Sequence, residues 1–79
     1  MNRAAQEWLL ARTERHIASA VSTVERQRQF VDRVASKGTP GRLVGAKMLL
    51  DQFEGVLASV VAERDQIKRE IASSQALTH

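Results

Sequence analysis

The chain is predicted to be all-α: two helices folded back on each other in one antiparallel hairpin. Three observations carry this. Leu10, Ile17, Val24 and Val31 recur every seven positions, and so do Ala46, Phe53, Val60 and Ile67. The pairs Leu10–Ile67, Ile17–Val60, Val24–Phe53 and Val31–Ala46 share one constant sum of residue numbers, as the layers of a fold about a turn near residue 38 must. Between the two series lies Lys37-Gly38-Thr39-Pro40, which stops one helix and starts another.

The first helix is expected over about residues 3–36. Asn2 precedes it as an N-cap, able to accept a hydrogen bond from an early backbone N–H. With Leu10, Ile17, Val24 and Val31 as heptad a positions, d falls on Thr13, Ala20, Gln27 and Val34. Glu14, Arg15, Arg26, Asp32 and Arg33 occupy positions that suit water.

The turn spans residues 37–39. Gly38 can take the left-handed conformation that closes a helix C-terminus, and Lys37 sits at the negative end of the helix dipole. Thr39 is a good N-cap, and Pro40 stands at the first helical position, where its missing N–H is not needed. A connection this short makes the helices antiparallel neighbours.

The second helix is expected over about residues 40–73, with Ser73 to His79 fraying. Its a positions are Leu43, Leu50, Leu57, Arg64 and Ile71, and its d positions Ala46, Phe53, Val60, Ile67 and Ser74. A second set of layers follows: Val34–Leu43, Gln27–Leu50, Ala20–Leu57 and Thr13–Arg64. Each helix would be about 50 Å long. The 79 residues form one domain, 1–79.

Without cysteine, neither disulfides nor thiolate metal sites can staple so small a core. Stability must come from long, well-paired helices or from association. The chain carries more apolar residues than one seam can bury. On the flank where the two g positions meet lie Thr23, Phe30, Leu49 and Val56. Val21 and Val61 stand on the opposite flank, and Trp8 and Leu9 near the open end. Burying one large apolar side chain stabilises by roughly 1.5–3 kcal/mol, and a stripe this broad suits a bundle. The expected partner is therefore a second copy, a homodimer forming a four-helix bundle, with Thr23, Phe30, Leu49 and Val56 as its interface. A separate protein partner is left open.

Net charge is +3, and its distribution is uneven. Arg26, Arg28, Arg33, Lys37, Arg42 and Lys47 face a single acid, Asp32, within residues 26–47, whereas the remainder holds more acids than bases. The alternative function is thus nucleic-acid or polyanion binding through the hairpin tip, with Arg28, Arg33, Lys37, Arg42 and Lys47 as contacts. Against it, no aromatic lies among these bases as an obvious stacking platform. The simpler reading is a solvated basic end.

Candidate chemistry is sparse. His16 occupies a g position roughly across from Glu63; it could shuttle protons or accept phosphate, but the plainer reading pairs it with that carboxylate. Phosphotransfer modules usually place glycine and lysine after the histidine, and here Ile17-Ala18-Ser19 follows. No Glu-x-x-His pair occurs, His79 is terminal, and Glu7, Glu14, Glu25, Glu54, Glu63 and Glu70 avoid the a and d positions, so no metal site is expected. Gly38-Thr39-Pro40-Gly41 is a helix connector rather than a phosphate loop. The expectation is a non-enzymatic module with no catalytic residue, cofactor or metal. No apolar run approaches the roughly 20 residues that span a bilayer, and the first residues lack a secretory apolar segment; a cytoplasmic location without a membrane partner is expected.

Gln27 and Arg64 interrupt the seam. An unpartnered buried amide costs roughly 1–3 kcal/mol, and the usual compensation is specificity of register or oligomer. Arg64 could reach Glu14 while laying its stem along the seam. Alternatively, both residues are simply half-exposed.

Glu14-Arg15-His16-Ile17, Arg26-Gln27-Arg28, the turn glycine Gly38, Ala46 with Leu49-Leu50, Phe53-Glu54 and Arg64-Asp65 are spread over residues 12–71. In order and spacing they resemble a group of short, uncharacterised helical-hairpin proteins of proteobacteria. The resemblance implies the hairpin and marks Gln27 and Arg64 as parts of a pattern, but it brings no activity with it. Members often carry an acid and a Thr pair after the turn glycine, from which Thr39-Pro40-Gly41 departs.

Overall fold

The computed structural model describes residues 2–77, with side chains through residue 76. It is an antiparallel hairpin of two helices, α1 (Arg3–Ser36) and α2 (Pro40–Leu77). The helices form a rod of 61 × 14 × 14 Å.

Local chemistry sets the ends of α1. The Asn2 side-chain oxygen accepts from the Ala5 N–H at 2.8 Å, and the Asn2 carbonyl accepts from the Gln6 N–H at 3.1 Å. One turn on, Arg3 pairs with Glu7 at 2.9 Å. At the other end the Lys37 N–H reaches the carbonyls of Arg33 and Val34, and the Gly38 N–H that of Ala35, each at 3.2 Å. Gly38 has φ +67°, the left-handed region that only glycine enters without strain. The Thr39 carbonyl accepts from Leu43 N–H at 3.1 Å. Its hydroxyl makes no hydrogen bond to the described residues, so the expected N-cap works through the backbone alone.

The seam follows the heptads. Among the described residues the six buried ones are Gln6, Thr13, Val24, Val34, Ala46 and Ile67; Val24 is at a, and the other five are at d. Leu10, Ile17, Ala20, Val31, Leu43, Leu50, Phe53, Leu57, Val60 and Ile71 fill the rest of the seam, half-buried. No described side chain is fully sealed from water, as a two-helix rod requires.

One boundary differs from expectation. The helix does not end near Ser73 but continues to Leu77. Ala72, Gln75 and Ala76 are good helix formers, and neither Gly nor Pro follows Ser73 to stop the chain. The rest of the expected frayed end, Thr78 and His79, lies outside the described residues.

Candidate interaction face

The flank where the two g series meet holds the main candidate site. Read from the tip outward, its layers are Lys37–Arg42, Phe30–Leu49, Thr23–Val56, His16–Glu63 and Leu9–Glu70. Successive layers lie one heptad, about 10 Å, apart along the rod. Phe30, Leu49 and Val56 are 36%, 45% and 56% exposed, so the seam leaves much of their apolar surface in water. Thr23 is half-buried and returns its hydroxyl to the Ser19 carbonyl at 3.0 Å. The Arg33 guanidinium sits 5.9 Å from the centre of the Phe30 ring, partly sheltering one face.

Beside these residues the flank opens into a groove of about 290 Å³. Ala20, Phe53 and Val60 come from the seam, and His16, Ser19, Thr23 and Val56 complete the lining. The cause is side-chain size. Ser19, Ala20 and Thr23 cannot fill the space that longer residues on α1 would occupy. Thr23 and Val56 are expected on this flank but the groove is not; its signal in the sequence is the run of small residues Ser19, Ala20 and Thr23. A second groove of about 360 Å³ lies near the open end among Gln6, Gln66, Arg69, Glu70, Ser73 and Ser74. Its lining is polar, and Arg69 and Glu70 both hydrogen-bond to Gln66.

His16 lies exposed on the rim of the apolar groove. The expected pairing with Glu63 is absent: no ion pair or hydrogen bond joins His16 to any described residue. Among the described residues no group of three His, Asp or Glu side chains converges. His79 lies outside them.

The two polar seam residues behave differently. Gln27 Nε2 donates to the Ala46 carbonyl on the facing helix at 3.0 Å. The amide is half-buried and partnered within the same chain. Arg64 does not reach Glu14. Its Nε and Nη2 donate to Asp65 Oδ1 at 3.1 and 3.0 Å, so its charge is answered by the neighbouring residue. Their side chains are 30% and 46% exposed, a setting in which an ion pair contributes little.

At the tip, Arg28 points along the rod to Glu54, 3.7 Å away. Arg33 lies over Phe30, so, contrary to expectation, one aromatic does stand among the tip bases. Lys37, Arg42 and Lys47 are exposed and form no ion pair with the described residues. Among the described residues no helix is long and apolar enough to cross a membrane.

No family model, curated protein or solved structure matches the chain.

Proposed function

We propose that the chain is a non-enzymatic interaction module of the cytoplasm that associates with a second copy of itself, two hairpins forming a four-helix bundle. The observation that carries this reading is the g flank, where Phe30, Leu49 and Val56 remain exposed beside an apolar groove. A rod with no fully buried side chain among the described residues gains apolar burial by covering that flank. The resemblance to proteobacterial helical hairpins is part of the same proposal and adds no activity to it.

Sedimentation or light scattering at micromolar concentration tests it. The expected result is a dimer that the double variant Phe30→Glu, Leu49→Glu converts to monomer. A stable, cooperatively melting monomer in the wild type would sink the proposal, and so would a double variant of unchanged mass.

A second reading is polyanion binding by the tip, favoured by Lys37, Arg42 and Lys47, which form no ion pair with the described residues. It requires binding to random-sequence DNA that weakens steeply with salt. Saturable binding that charge reversal at the tip abolishes would establish it.

A further inference from the structure

We infer that the partner on the g flank is a second copy lying antiparallel, with the tip of each rod toward the middle of the other. The twofold axis passes between the Phe30–Leu49 and Thr23–Val56 layers. The inference rests on the self-association proposed above and adds its orientation and register.

The order of chemistry along the flank favours this arrangement. From the tip it reads basic (Lys37, Arg42), apolar (Phe30, Leu49), apolar (Thr23, Val56), then His16 with Glu63. A twofold contact must match this series to itself. Antiparallel packing about an axis between the two apolar layers sets each helix against its own copy. Leu49 then meets Val56, Phe30 meets Thr23, and Arg42 meets Glu63. The Phe30 and Leu49 side chains of one copy enter the groove of the other, whose lining includes Thr23, Val56 and Phe53. Lys37 falls at His16, with Glu63 diagonally across.

Other arrangements lose one of these matches. Parallel rods also put apolar layers together, but they bring two Lys37 and two Arg42 side chains to one level. None of those cations has an ion pair with the described residues to offset the repulsion. An antiparallel pair shifted by one heptad, with its axis on the Thr23–Val56 layer, would set Phe30 and Leu49 against His16 and Glu63. Arg26 lies near the inferred axis. It sits on the outer edge, reaches Thr23 Oγ1 at 3.5 Å, and stays in water.

The test is charge reversal read by analytical ultracentrifugation, with helicity followed by circular dichroism. Arg42→Glu opposes Glu63 in the antiparallel dimer and should raise its dissociation constant about tenfold or more. Adding Glu63→Arg in the same chain should restore it. In parallel rods Arg42→Glu would instead pair with Lys37 and tighten the dimer. A wild-type monomer overturns the self-association itself. A wild-type dimer that Arg42→Glu leaves unchanged or tightens, or that Glu63→Arg fails to rescue, overturns only the orientation.

Cross-linking gives a reading that does not depend on changing charge, because the chain has no native cysteine. Gln52 lies at the inferred axis, on the outer edge of the contact between the two copies of α2, whereas Thr39 is at the tip. A short bismaleimide should link Gln52→Cys to its own copy and leave Thr39→Cys unlinked. The reverse pattern, or linkage of neither, overturns the antiparallel register.

Discussion

The tip half and the open half of the rod are held together by different means. Near the tip, Val24, Val34 and Ala46 are buried, and Gln27 crosses the seam to the Ala46 carbonyl. In the open half, buried Thr13 turns its hydroxyl back to the Leu9 carbonyl at 2.8 Å, and Arg64 turns sideways to Asp65. Both of these polar residues are satisfied within their own helix. Neither reaches across the seam, where Leu10, Ile17, Val60 and Ile67 supply apolar contact beside the buried Gln6. Apolar contact is non-directional and specifies register weakly, whereas a hydrogen bond to one carbonyl specifies a single register. A polar residue at a seam position helps pairing only if its reach ends on the other helix.

The two halves should differ most at Ile67, the buried aliphatic residue of the open half. Ile67→Ala should cost about 2–4 kcal/mol, read as a fall in the urea midpoint. Hydrogen exchange should show amides of the open half losing protection before those near Val24 and Ala46. Equal loss along the whole rod would mean that the halves do not differ.

A smaller effect is expected at Gln27. Gln27→Ala removes the crossing bond and the packed stem, and should cost about 1–1.5 kcal/mol. Gln27→Leu trades the bond for apolar burial beside Leu50 and should melt within about 0.5 kcal/mol of wild type. The Ala46 carbonyl keeps its place in the helical ladder in either variant. A markedly more stable Gln27→Leu protein would show that the crossing bond contributes nothing.

The smallest effect belongs to Arg64. Its pair with Asp65 is half in water, so Arg64→Leu loses little electrostatically and gains apolar seam surface. The melting point should rise by the equivalent of less than about 1 kcal/mol. A clear loss would mean that Arg64 does more than its bond to Asp65 indicates.

Much of this architecture is legible in the sequence because pairing in a hairpin is arithmetic. One glycine and one Thr-Pro step locate the turn, and two heptad series locate the layers. The partners of the polar residues are less legible. Gln27 bonds to a backbone carbonyl, a group every residue carries, so no side-chain pattern announces it. Arg64 could point to Glu14 or Asp65, and the choice is one of side-chain rotamer. His16 and Glu63 face each other in register yet do not bond, since both remain in water. The apolar flank follows from residue type, whereas its groove follows from the smallness of Ser19, Ala20 and Thr23.

The tight turn at Gly38 also sets a kinetic order. Val31 and Ala46 are close along the chain, so bringing them together closes a short loop. Leu10 and Ile67 are distant in sequence and meet cheaply only after the layers between them have formed. The hairpin is thus built to zip from the tip outward, with its transition state gathered around the turn. Changes near Gly38 should then slow folding, whereas changes near Ile67 should mainly speed unfolding.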